Sequence, residues 1–156
     1  MSKVIEQVIK TDNGISQLAL RLPVGVILVA HGAQKLFAWF GGYGLEGTCQ
    51  YMSSLGLDPG YLMAVLAGSA EFFGGLALIF GLLVRPSSAV LAFTMLVAIL
   101  SAHIGNGLFL ANGGYEFALV LMAATVSLAV SGGGRFSLDR LFARQLTGVE
   151  AQAALA

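Results

Sequence analysis

Residues 61–84 read YLMAVLAGSAEFFGGLALIFGLLV, a run of apolar and small side chains interrupted by a single charge, Glu71. A bilayer core about 30 Å thick is crossed by roughly 20 residues of helix, so this stretch spans it with a carboxylate near mid-depth. Ala64 with Gly68, and Ala70 with Gly74, form small-xxx-small pairs. Such pairs let helices approach closely in lipid, which places this helix at the centre of a bundle. Packing is the expected role of most of its glycines, Gly75 and Gly81 included.

Three further segments flank it. Residues 18–40 (LALRLPVGVILVAHGAQKLFAWF) and 87–104 (SSAVLAFTMLVAILSAHI) are long enough to span. Residues 115–131 (YEFALVLMAATVSLAVS) are slightly short unless Gly113 and Gly114 join them, giving 113–131. Pro23 falls early in the first helix, and Pro86 suits the start of the third, where its missing N–H costs nothing. The expected fold is all-α: one membrane domain, residues 1–156, built as a four-transmembrane-helix bundle. Two short interfacial helices are expected beside it. In the loop after the first span, Leu45, Cys49, Met52 and Leu55 recur near helical spacing before Gly56, a C-cap. After the fourth span, Ser137 caps a helix over 135–147 with Asp139 in its first turn, and residues 148–156 form a loose tail. There Leu138, Leu141 and Phe142 share a face, and Arg140 and Arg144 can reach anionic headgroups.

Composition supports a bilayer environment. Hydrophobic residues make up 57% of the chain and charged ones 10%, against about 25% charged in soluble domains. A net charge of zero offers no basic face for nucleic acid. The lone Cys49 excludes an intrachain disulfide, a CxxC pair and a thiolate cluster. The N-terminal MSKVIEQVIKTDNG lacks an apolar h-region, so the first span is expected to act as the export signal. Lys3, Lys10 and Arg21 flank the first span, Arg85 sits between the second and third, and Arg135, Arg140 and Arg144 follow the fourth. Loops 41–60 and 105–114 hold no Lys or Arg. The positive-inside rule then puts both termini and the Arg85 turn on the cytoplasmic side of a multi-pass chain. Trp39, Phe40, Tyr43, Tyr51 and Tyr61 form an aromatic belt at the outer surface.

Charges at helix centre cost about 2.5–3.5 kcal/mol on insertion scales and mostly face partners inside the bundle. The candidates are His31, Gln34 and Lys35 in the first helix, Glu71 in the second, His103 ending the third, and Tyr115 and Glu116 opening the fourth. At 1.5 Å per residue, His31 lies roughly 13 Å and Lys35 roughly 7 Å below the outer boundary, with Glu71 roughly 15 Å down. Those depths pair His31 with Glu71 and Lys35 with Glu116, and leave Tyr115 and His103 at the rim. Structurally these are contacts that orient helices. Functionally they form a polar pocket in the outer half of the membrane, with Glu71 and His31 as the candidate catalytic groups. A carboxyl beside an imidazole is suited to accept a proton or to hold a quinone or quinol oxygen. Bis-histidine haem through His31 and His103 is disfavoured by their unequal depths. No metal motif and no evident cofactor motif occurs.

The order of GAQKL (32–36), GSAEFFGG (68–75), GLLVR (81–85), NGGYE (112–116) and GGGRFSLD (132–139) resembles the DoxX family of small bacterial membrane proteins. The resemblance covers about residues 21–139. It implies a four-helix inner-membrane protein linked to membrane redox chemistry, since relatives are associated with thiosulfate:quinone oxidoreductase and with oxidative-stress complexes. Lys35, Glu71 and Glu116 coincide with the family's polar positions, while His31 and His103 rest on depth alone.

The leading expectation is an accessory or quinone-interacting subunit of a membrane oxidoreductase. One alternative is an anion or lipid carrier acting as a homo-oligomer, because four helices supply no internal repeat of the kind transporters use. Another is a scaffold subunit of a membrane complex whose buried charges only lock helices together.

Overall fold

The computed structural model describes residues 14–153, with side chains described for residues 14–145. Lys3 and Lys10 therefore lie outside the described residues. Every regular element among the described residues is helical: α1 (Ser16–Phe37), α2 (Gly44–Ser54), α3 (Gly60–Phe80), α4 (Val84–Ala98), α5 (Glu116–Ser131) and α6 (Leu138–Ala153). Three helical stretches are long and apolar enough to cross a membrane: Ser16–Phe37, Gly60–Phe80 and Val84–Asn106. The helix Glu116–Ser131 is apolar but shorter. Outward-facing Val26, Phe73, Phe93, Val120 and Val130 are all exposed, giving the bundle an apolar exterior.

Element ends differ from the sequence expectation for local reasons. The first span stops at Phe37 rather than residue 40, because Ala38 turns left-handed (φ 58°) and Trp39–Gly41 form a 3-10 turn. The second ends at Phe80, where Gly81 takes φ 71°. The third starts three residues earlier than expected, with Pro86 still in its first turn. Beyond Ala98 it continues as a π-turn (Ile99–His103) and a 3-10 turn (Ile104–Asn106). Gly113 and Gly114 do not join the fourth. Gly113 has φ 77°, and Gly114 packs against the backbone of Gly107 and Leu108 in the preceding loop. The last helix runs from Leu138 to Ala153, so residues 148–153 are helical rather than a loose tail.

Two caps read from the sequence are present. Gly56 (φ 75°) follows α2, with its N–H donating to Ser53 and that of Leu57 to Met52. Ser137 Oγ accepts the N–H of Arg140 at 3.2 Å at the start of α6. In α2 Met52 of the expected stripe is buried, together with Gly44 and Thr48, while Leu45, Cys49 and, just past the helix end, Leu55 are half-buried.

The α1–α3 contact organises the bundle. The two helices are antiparallel, and their backbones approach at glycines: a Cβ on Gly25 would sit 2.8 Å from the Gly75 carbonyl, and a Cβ on Gly75 2.8 Å from that of Gly25. A Cβ on Gly32 would overlap the backbone of Phe72. On the other side of α3, Gly74 receives Leu91 of α4. Leu28, Leu78, Leu91, Leu121 and Leu128 fill the core between α1, α3, α4 and α5.

At one end the basic residues gather. Arg21, 1% exposed, donates to the carbonyls of Gly133 and Phe136, each at 2.7 Å. Arg85 donates to Val130 at 2.6 Å. The opposite end carries Trp39, Phe40, Tyr43, Tyr51 and Tyr61, all exposed. We call these the basic end and the aromatic end.

Candidate functional site

Lys35 and Glu71 meet across the α1–α3 contact, Nζ to Oε2 at 2.5 Å, with side-chain exposures of 25% and 5%. Each follows a contact glycine by three residues, Lys35 after Gly32 and Glu71 after Gly68, so close backbone approach and charge pairing come from the same turns.

This pairing corrects the depth estimate for Lys35, which gave it to Glu116; His31, which that estimate gave to Glu71, stands with it in the wall of one cavity. Side chains lean toward the N-terminus of their own helix. In antiparallel neighbours that tilts Lys35 and Glu71 toward each other. Their backbones are offset: it is Gly68 whose Cβ would lie 3.3 Å from that of Lys35. Lysine's long stem then closes the remaining turn. Counting Cα depth alone ignored both the lean and the reach. Glu116 is engaged elsewhere, its Oε1 accepting the N–H of Leu110 at 2.6 Å and so fastening the loop before α5.

A cavity of about 780 Å³ opens beside the pair. Of the sequence candidates it gathers His31, Lys35, Glu71 and His103. Gln34, Tyr115 and Glu116 do not line it. Gln34 Nε2 instead donates to the Phe40 carbonyl at 3.3 Å, and Tyr115 packs against the hydrophobic core. His31, one turn before Lys35, lies 5.9 Å from the Phe117 ring, centroid to centroid. His103 Nδ1 donates to the Gly113 carbonyl at 2.8 Å, which puts its proton on that nitrogen and leaves Nε2 as an acceptor in the neutral ring.

The rest of the wall is mainly apolar: Leu28, Met52 and Leu55, Leu66 and Ala67, Phe93 and Ala98, Phe117 and Leu121. Thr94 and Ser101 also line it and were not singled out from the sequence. Their seven-residue spacing, which puts two hydroxyls on one helix face, was the available signal. Both hydroxyls donate to the carbonyl four residues back. Ser101 and His103 sit in the π-turn, a distortion frequent at functional sites.

A second charged cluster, at the basic end, was also missed. The Asp139 carboxylate accepts the N–H of Leu83 at 2.6 Å and of Val84 at 2.9 Å, closing the start of α4 from α6. Burial pushes this carboxyl above the ordinary carboxylate range, while the two amides and the charge of Arg21 pull it back. Arg21 had been read as a flanking charge; it is instead a buried staple to the segment before α6.

Among the described residues no group of three His, Cys, Asp or Glu side chains is placed to hold a metal ion. The chemistry on offer is an ammonium, a carboxylate and two imidazoles on the wall of an apolar cavity. It can hold a polar head through hydrogen bonds and exchange a proton with it.

The fold and site define a multi-pass membrane protein with an ion-paired cavity between its helices. The DoxX family profile matches residues 16–104, more than half of the chain, and the chain belongs to that family. It is 33% identical over 125 residues to CatD of Bacillus subtilis (strain 168), a protein named provisionally as an oxidoreductase, covering 80% of this chain and 85% of that one. Identity to the inner membrane protein YqjF of Escherichia coli (strain K12) is 30% over 133 residues, 81% and 92% of the two chains. The inner membrane protein YphA of the same organism is 29% identical over 128 residues, 79% and 87%. No solved structure matches the chain.

Proposed function

We propose that this protein spans the bacterial inner membrane four times, with both termini cytoplasmic. In this reading it binds a quinone or quinol at the Lys35–Glu71 pair as a subunit of a membrane oxidoreductase system. The clustering of Arg21, Arg85 and the segment around Arg135 at one end supports the topology through the positive-inside rule. At 16 residues α5 is about 24 Å long and needs part of the preceding loop to complete its crossing. Relatives named as inner membrane proteins support the location, and the name of CatD supports the redox class.

The observation that carries the reading is an ion pair set, with His31, in the wall of an otherwise apolar cavity of about 780 Å³. A quinone combines carbonyl oxygens with an apolar ring and tail, and the cavity offers a donor and an apolar wall to match. Lys35 donates to a carbonyl oxygen. Glu71, ionised in its pair with Lys35, and the His31 ring take up the two protons released as a quinol is oxidised; in the reverse direction they relay to the ring protons drawn from water. The electrons pass to or from a redox partner subunit.

The test is purification from native membranes in mild detergent, with extraction and mass spectrometry of bound small molecules and proteins. Quinone that co-purifies with the native protein and is lost in a folded Glu71→Gln variant is the expected result. Unchanged quinone content in that variant would overturn the reading. A ligand-free protein with stoichiometric partner subunits would point instead to a scaffold.

A further inference from the structure

The shape of the cavity says how a ligand reaches it. α3 and α4 are joined by a short turn at the basic end, where Gly81 ends one helix and Val84 begins the next. Near that end they are in contact, since a Cβ on Gly74 would meet Leu91 at 3.0 Å. Toward the aromatic end the cavity lies between them, with Leu66 and Ala67 on α3 facing Val97 and Ala98 on α4. The cavity thus lies between the two helices on the side of the Gly74–Leu91 contact that is away from the basic end.

Two features separate the sides of this gap. Its aromatic end is roofed by α2 and the residue after it: Tyr51, Met52 (9% exposed) and Leu55 line the cavity and present no charge to it. Its flank is not covered: Leu66, Val90 and Phe93 line the cavity and are 55%, 53% and 67% exposed. These belong to the apolar exterior that faces lipid. A molecule arriving from water would have to pass the α2 roof and the segment around His103, whereas one dissolved in the bilayer meets an open apolar slot. The charge balance inside agrees, because Lys35 and Glu71 neutralise each other. A free anion gains little there, and a neutral polar head gains a hydrogen bond.

We infer that the α3–α4 gap is a lateral port, through which a neutral, long-chained quinone-type amphiphile enters from the bilayer. It seats its tail along Leu66, Ala67, Val97 and Ala98, with its head at Lys35 and Glu71. This rests on the quinone reading for the identity of the head, but the port itself is tested independently of it.

The experiment uses the full chain in phospholipid nanodiscs doped with an uncharged alkyl-chain amphiphile bearing a diazirine near the chain end. After irradiation, labelled residues are mapped by peptide mass spectrometry, with and without excess long-chain quinone. The expected result is labelling inside the gap, on residues such as Ala67 or Val97, besides general labelling of the exterior at Val120 and Val130. Ala98→Phe, which fills the slot, should cut the gap labelling about tenfold and leave exterior labelling unchanged. Exterior labelling without gap labelling in the native protein overturns the port, whatever quinone does. Gap labelling equal in native and Ala98→Phe proteins also overturns it, since the label is then not inside the slot. Gap labelling that excess quinone fails to displace leaves the port standing and overturns the quinone reading. Should Ala98→Phe fail to fold, Ala67→Phe fills the same slot from the opposite helix.

Discussion

The basic end and the middle of the bundle each hold a cation and a carboxylate, and they employ them differently. At the basic end both charges are bound to backbone. Arg21 holds the carbonyls of Gly133 and Phe136, and Asp139 holds the amides of Leu83 and Val84. Those four groups belong to segments outside regular helix or at helix starts, where backbone polar atoms lack intrahelical partners. In the middle, Lys35 and Glu71 hold each other across two helices whose backbones are already satisfied, and both line a cavity. A buried charge whose bonds all run to main chain is structural. A half-buried pair whose charged atoms bond each other and border a cavity is available for a ligand.

The contrast breaks most readily at Asp139. Asp139→Ala leaves two amides unpaired and Arg21 without its nearby negative charge, at a cost of about 3–5 kcal/mol. Thermal unfolding in detergent should show a large drop in midpoint, with ligand binding retained by whatever protein remains folded. A small drop would mean the basic end is not what holds α6 and α4 together.

Gly32→Val attacks the middle through packing. Its side chain would overlap the backbone of Phe72, so α1 and α3 must separate, for about 1–3 kcal/mol. Separation also parts Lys35 from Glu71, so ligand affinity should fall along with stability. Unchanged affinity would show that the pair does not need the close glycine contact.

The double substitution Lys35→Met with Glu71→Leu separates the two regions further. Replacing a buried pair by apolar side chains of similar size is often neutral or stabilising, so stability should stay within about 1 kcal/mol of native or rise. Quinone retention should nonetheless be lost. Arg21→Met with Asp139→Leu should not be tolerated in this way, because it strands backbone groups that no apolar residue can satisfy. Equal tolerance at both ends would erase the distinction.

Much of this was legible in the sequence, and the misses share a cause. Hydrophobic runs located the long helices, Gly56 marked the end of α2 and Ser137 the start of α6, and Lys35 and Glu71 stood out as charges in apolar segments. These are local signals. The partner of Lys35 is not local: it depends on antiparallel side chains leaning together, which residue counting along one axis omits. Arg21 and Asp139 were read by their own neighbours in sequence, one as a flanking charge and one as a first-turn acid. Their bonds run instead to residues more than 50 positions away. The cavity has no sequence signature, since Ala67, Val97 and Ala98 are ordinary apolar residues until the fold sets a cavity between their helices.

The smallest expected effect concerns pH, and it distinguishes two ways of holding Asp139. Burial raises its carboxyl above the ordinary 3.8, with the amides of Val84 and Leu83 and the charge of Arg21 opposing the rise. The folded protein then binds this proton more tightly than the unfolded chain. Stability changes with pH as protons bound unfolded minus folded, which is negative here. The contribution is therefore complete below 3.8 and is lost as pH climbs through the folded value. Asp139→Asn removes the titration and keeps an oxygen acceptor for one of the two amides, a loss that is the same at every pH. Unfolding midpoints of the two proteins should converge as pH rises through the acid range, to the extent that native stability falls there and the variant's does not. Because all other acidic groups are common to both, the difference isolates this carboxyl. A native protein that gains on the variant as pH rises would reverse the sign. Hydrogen bonds to the carboxylate would then outweigh burial, and the basic end would be held by a full charge.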